Sequence, residues 1–196
     1  MNAVITFQGF TESNRQRTGT EDLYFKVIRK FAREDITTYQ PLPWTAGVKT
    51  IAAQVARQGV RNVALVSYSH GQAAALDFAK VAYKLGICVD LWLACDPVFR
   101  PSWLPRWNWT QPLAFRALTK SAKIKVPHNI RRVTGVRQNI SWPFGHDLKP
   151  ASPATTVEDL VSLPYSHTAI DQSPEWFRLV KNELEGWANP PKAKLI

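Results

Sequence analysis

The stretch Asn62-Val-Ala-Leu-Val-Ser-Tyr-Ser-His-Gly-Gln72 decides how the rest of this 196-residue chain is read. Its apolar run, Val63 to Val66, is short and β-branched, which suits a buried strand better than a helix. Residues 73–85, by contrast, have helical length and period. Between them, Ser67-Tyr68-Ser69-His70-Gly71 must turn sharply from strand to helix. Such a turn strains its central residue and needs small side chains two positions to either side, the mechanical content of the Gly-x-Ser-x-Gly nucleophile elbow. Gly71 fits that pattern; Ser67 replaces the first glycine and is small enough for the turn to form.

Upstream, residues 3–7 read as a short buried strand, and Gln8-Gly9-Phe10 follows where a parallel sheet opens at its carboxyl edge. Residues 21–33 carry a broad helical apolar face behind a Thr20 cap. A second strand is expected over residues 36–39. Thr45 can then cap a helix in which Val48, Ile51, Ala52, Val55 and Ala56 recur at helical spacing before Gly59 stops it. Downstream, the helix after the elbow runs to Gly86, and residues 87–95 form another apolar strand that delivers Asp96 at its carboxyl end. Strands alternating with helices predict right-handed crossovers and an α/β fold, with a mostly parallel central sheet flanked by helices. A late strand is expected over residues 129–138 and loop over 141–163. Ser173 and Pro174 stand in cap and first-turn positions for a last helix over residues 175–187, and 188–196 read as a tail.

The length suits one domain over residues 1–187, large enough to bury a core without disulfides or metal. Cys88 and Cys95 lie on one predicted strand facing opposite ways, so they read as reduced thiols. The opening residues have neither a basic start nor a long apolar run, and no segment approaches a membrane span, so a soluble, cytoplasmic protein is expected. The net charge of +10 is concentrated: between residues 97 and 146 there is no Asp or Glu, but nine Lys or Arg from Arg100 to Arg137. That field would attract an anionic membrane surface or an acidic partner, with nucleic acid the weaker candidate; the alternative is a solvated basic face. Residues 97–112 interleave Phe99, Trp103, Trp107 and Trp109 with arginines and four prolines. We read residues 97–125 as a Trp/Pro-rich cap or rim insertion, with a short helix near 113–121. Trp103 and Trp107 are either substrate contacts or packing that seats the insertion on the body.

A serine hydroxyl needs a base to take its proton, and the base needs a third group to hold its tautomer. Ser69 stands on the elbow. Asp96 leaves the next strand at the same sheet edge, and His167 lies in the loop before the last helix. Asp147 is the reserve acid. Each residue has a plainer role open to it: Ser69 as a helix cap, Asp96 as a turn former, His167 in local loop hydrogen bonds. A zinc site is not expected, since no two histidines sit at i, i+4 and the cysteines lack metal spacing. A phosphate-binding glycine pattern is also absent.

The elbow Ser67-Tyr68-Ser69-His70-Gly71, its strand and helix, the later Asp96 and the late His167 together resemble a small α/β-hydrolase of the lipase and esterase kind. The likeness extends from Ala3 to Trp187. In that family the acid most often follows the second strand after the elbow, whereas Asp96 follows the first, as in some lipases. The resemblance implies a serine hydrolase that cleaves a carboxylic ester or thioester, of small-molecule or lipid origin, through an acyl-enzyme and without a cofactor. It implies an oxyanion hole made by the backbone N–H groups of His70 and Phe10, with Gln8-Gly9-Phe10 similar to the family's His-Gly-aromatic stretch. Gln8 and Tyr68 are further candidate substrate contacts. The rival expectation is a catalytically inactive protein on the same scaffold that binds nucleic acid or an acidic partner through the basic segment.

Overall fold

The computed structural model describes residues 1–10, 12, 18–98 and 123–190. Its strands in chain order are β1 (Asn2–Phe7), β2 (Ile36–Thr38), β3 (Asn62–Tyr68), β4 (Cys88–Cys95), β5 (Lys123–Val126), β6 (Ile130–Arg137), β7 (Asp147–Pro150), β8 (Thr156–Val157) and β9 (Val161–Ser162). The described helices are α1 (Gly19–Lys26), α2 (Val48–Arg57), α3 (Gly71–Lys84) and α4 (Pro174–Ala188), with 3₁₀ turns at Ile28–Phe31 and Ile170–Gln172.

The run that suggested a buried strand is β3, and its six residues after Asn62 are all buried. Apolar side chains on both faces are what a strand needs when helices cover both sides. β3 lies mid-sheet, in the order β2-β1-β3-β4-β6-β8, with β9 also paired to β6. Every pairing in this seven-stranded sheet is parallel, and so is the separate pair β5-β7. Register brings Phe7 beside Ser67, and Tyr68 beside Cys95. The loops after β1, β3 and β4 therefore leave one sheet edge together, carrying Gln8, Ser69 and Asp96.

Each sheet face has its own core. On one, Ile5, Phe7, Leu65, Val89 and Trp92 pack with α2 and α3, whose Ala74, Ala75, Ala79 and Ala82 let the helix lie close. On the other, Val4, Val66, Tyr68, Leu91 and Leu93 meet Leu23 and Tyr24 of α1, and the α4 stripe Trp176, Val180, Leu184, Ala188. Those four recur every fourth residue, one face of a helix. A bulge in β4 makes the two cores compatible: Val63 pairs with Val89 but Ala64 with Leu91, so Asp90 is skipped. Val89 and Leu91 would otherwise share a face; the extra residue sends them into opposite cores.

Four expectations need correction. The helix expected over 21–33 stops at Lys26 and resumes as a 3₁₀ turn; its cap is Thr18, in a capping box with Glu21. Gly47, not Thr45, stands at the N-cap of α2. The stretch 141–163, expected as loop, contains β7, β8 and β9, which are too short to show an alternating pattern. Residues 123–126, expected to begin within the insertion, form β5, paired with β7 from Lys123 opposite Asp147. Residues 99–122 of the basic insertion, including Trp103 and Trp107, lie outside the described residues, as does most of the tail. Ser173 and Pro174 cap and open α4 as expected. Cys88 and Cys95 are free thiols. Among the described residues, no helix is long and apolar enough to cross a membrane.

Candidate active site

Ser69 occupies the turn between β3 and α3 with φ of 50°, in the left-handed region that serine rarely adopts. Its amide donates to the Cys95 carbonyl at 2.9 Å, tying the elbow to the end of β4. Gly71 is required by a close approach: a Cβ there would fall 2.5 Å from the Phe7 carbonyl oxygen and 2.7 Å from that of Gln8. The first motif position is under no such pressure. Ser67 uses its hydroxyl to accept the indole N–H of Trp92 at 2.9 Å, so serine serves where the family pattern has glycine.

The structure brings the three residues expected from chain order into one line. His167 Nε2 lies 2.8 Å from Ser69 Oγ, and His167 Nδ1 lies 2.6 Å from Asp96 Oδ2. A carboxylate can only accept, so Nδ1 carries the proton and Nε2 turns its lone pair to the Ser69 hydroxyl. Asp96 is 0% exposed and also has a left-handed φ, 44°. Asp147 sits in β7 in an ion pair with Arg137, so the acid that meets His167 is Asp96.

His167 is gripped by its main chain as well. Its N–H donates to Ser141 Oγ at 2.8 Å, and its carbonyl accepts from the Tyr68 hydroxyl at 2.6 Å. The Tyr68 ring also stacks on the imidazole, with centroids 5.3 Å apart and planes at 28°. Burial, followed by the nearby charge of Asp171, pushes the Tyr68 phenol far above its ordinary pKa, so it remains a neutral donor. The Cys95 thiol is raised well above its usual range, again chiefly by burial, and stays uncharged. Gln138 donates to both oxygens of Asp96, from its backbone N at 2.9 Å and its side-chain Nε2 at 3.1 Å.

The loop after β1 runs beside the elbow. A Cβ on Gly9 would lie 2.6 Å from the Tyr68 ring and 3.3 Å from Ser69 Cβ. The buried Glu12 fixes this loop to the start of α1, since it accepts from Gly9 N at 2.6 Å, Thr20 N at 2.9 Å and Thr20 Oγ1 at 2.6 Å. Phe10 packs against Trp44 at 5.3 Å and His70 at 6.2 Å, and Trp44 lies 5.9 Å from His70, so three rings gather beside the serine.

Gln8 and Tyr68, expected to touch substrate, turn their side chains to protein partners: Gln8 Nε2 to Glu21 at 3.5 Å, Tyr68 to His167. His128 packs edge-on to Tyr83, and His146 is buried with its N–H on the Pro97 carbonyl. Gln138, Ser141, Glu12 and Trp44 were not legible in sequence. They belong to no motif, and only the folded sheet edge assembles them. Among the described residues, no cluster of three His, Cys, Asp or Glu could hold a metal ion.

No family model matches this sequence, and neither does any curated protein. Solved structures do. The crystal structure of Aspergillus fumigatus lipase B matches with a TM-score of 0.53 at 16% identity, covering 94% of this chain and 52% of that one. This chain thus spans about half the length of that lipase structure. A Vlm2 thioesterase domain matches at 0.47, with 13% identity over 94% of this chain and 91% of that chain. Cfl2 from Burkholderia cenocepacia matches at 0.43, with 14% identity over 95% and 87%. The mostly parallel sheet, its flanking helices and the likeness to the lipase make the fold that of the α/β-hydrolases.

Proposed function

We propose that this protein is a serine hydrolase that cleaves a carboxylic ester or thioester through an acyl-enzyme. The observation that carries the reading is the hydrogen-bonded line from Ser69 Oγ through His167 to the buried Asp96, at 2.8 and 2.6 Å. His167 Nε2 removes the hydroxyl proton as Ser69 Oγ bonds to the carbonyl carbon, and Asp96 stabilises the imidazolium that results. The tetrahedral oxyanion is met by the backbone N–H groups of His70 and Phe10. Collapse breaks the bond to the leaving alcohol or thiol, which takes the proton from His167. Water then repeats the sequence on the acyl-enzyme, releasing acid and free Ser69.

The Phe10 and Trp44 rings pack with the His70 imidazole beside the serine, which supports a substrate with an apolar acyl or aryl group. The test is hydrolysis of p-nitrophenyl esters of graded acyl length by the parent protein and Ser69→Ala. The expected outcome is release by the parent and a loss of about 10⁴-fold or more in the variant. Equal rates in the two proteins, or no release on any chain length, would overturn the reading.

A further inference from the structure

The acid and the histidine are joined a second time, by a route that avoids the serine. His167 N–H donates to Ser141 Oγ at 2.8 Å. Ser141 in turn donates to Gln138 Oε1, from Oγ at 3.3 Å and from its backbone N at 2.9 Å, and Ile140 N adds a third bond to the same oxygen at 2.9 Å. The other end of that amide, Nε2, donates to Asp96 Oδ2 at 3.1 Å, the oxygen that accepts His167 Nδ1–H at 2.6 Å. Asp96, Gln138, Ser141 and His167 thus close a ring of hydrogen bonds.

The direction of every bond in the ring is fixed. Two backbone N–H groups face Oε1, so that atom must be the carbonyl oxygen and Nε2 the donor, its two hydrogens shared among the Asp96 carboxylate at 3.1 Å and the carbonyls of Ser141 and Pro143 at 2.9 and 2.8 Å. Gln138 is 0% exposed, so its amide has no water to turn to if a partner is lost. The loop between β9 and α4 that carries His167 has no regular structure before the 3₁₀ turn at Ile170. The main-chain bonds of His167 itself run outward, to Ser141 and Tyr68. One buried side chain therefore sets both the acid and the backbone of the base.

We infer that Gln138 and Ser141 are positioning residues that hold His167 in register with Asp96 and Ser69, so that the reaction depends on two groups that touch neither substrate nor nucleophile. The inference rests on the hydrolase reading above. A displacement of the imidazole by about 1 Å costs about 10²-fold in rate, with little effect on ground-state binding. The test compares the parent with Gln138→Met, which keeps the length and removes the amide, with Ser141→Ala, and with Ser141→Thr, which keeps the hydroxyl. Each is labelled with a fluorophosphonate probe and assayed on p-nitrophenyl acetate. Labelling and kcat should fall about 10²-fold in Gln138→Met and Ser141→Ala while KM stays within about twofold, and Ser141→Thr should recover most of the rate. Parent-like rates in both Gln138→Met and Ser141→Ala would overturn the inference. Should Gln138→Met fail to fold by circular dichroism, Ser141→Ala, on a half-exposed loop, decides the matter. A readout that needs no turnover separates this inference from the reading it rests on. The low-field proton resonance of His167 Nδ1–H should be present in the parent and in Ser69→Ala, and lost or broadened in Gln138→Met and Ser141→Ala. Its persistence unchanged in those two variants would overturn the positioning role, whatever Ser69 proves to do.

Discussion

Ser69 and Asp96 are the described non-glycine residues with positive φ, and they are the two that meet His167. Backbone held in a sparsely populated region costs about 1–3 kcal/mol and persists where the surroundings over-determine it. Here the sheet does so, through Ser69 N on Cys95 O and Asp96 N on Val136 O. Ser69→Gly and Ser69→Ala should both be inactive, yet Ser69→Gly should unfold at the higher temperature, by about 1 kcal/mol in stability, because glycine alone relaxes at this φ. Thermal melts that place the two variants together would show that the elbow stores no strain. Asp96→Asn should keep the geometry but present an N–H or a neutral oxygen to the imidazole, lowering kcat by about 10³–10⁴-fold with KM little changed. A parent-like kcat would remove Asp96 from the reaction. The serine and the acid were legible in sequence because a motif and a strand end announce them. Gln138 and Ser141 were not, because a glutamine at the end of one strand gains meaning only from the aspartate at the end of its neighbour.

At the scale of elements, β1 to β4 and β6 could be read from apolar runs, whereas β5 and β7 hold four residues each, and β8 and β9 two each, too few to show a period. The place of β8 and β9 on the sheet is set instead by pairing to β6 and by one cation. Arg132 of β6 donates to Glu158 beyond β8 at 2.5 Å and to Glu183 of α4 at 2.6 and 3.1 Å, linking the sheet edge to the last helix. The Arg132 hydrogen bond holds the Glu158 carboxyl below its usual range, despite the opposing effect of burial. A carboxylate lowered on folding contributes stability above its unfolded pKa, near 4.5, and loses it as the pH falls through the lower folded value. Arg132→Met should therefore cost about 0.5–1 kcal/mol near neutral pH, a modest figure because these side chains are 40% exposed, and the cost should shrink in acid. Melting temperatures measured from about pH 3 to 7 check this. A parent-to-variant gap that widens as the pH falls would reverse the sign and refute the linkage.

Across the whole molecule, residues far apart in sequence depend on one another. Ser69 and His167 are 98 positions apart, and Asp96 and His167 are 71 apart. Their meeting follows from a sheet whose paired strands run parallel, so that β1, β3, β4 and β6 present their carboxyl ends along one edge. That much could be inferred from the alternation of strands and helices. The bulge at Asp90, the Glu12 grip on the Gly9 loop and the ring through Gln138 could not, because each is a contact between segments with no sequence relation. The claim on which everything else depends is that Ser69 is a nucleophile activated by His167. Intact-mass spectrometry after incubation with a fluorophosphonate tests it most directly. The expected result is one adduct per chain, mapped to the peptide containing Ser69, absent in Ser69→Ala and strongly slowed in His167→Ala. An unmodified parent protein, or equal modification of Ser69→Ala, would contradict it.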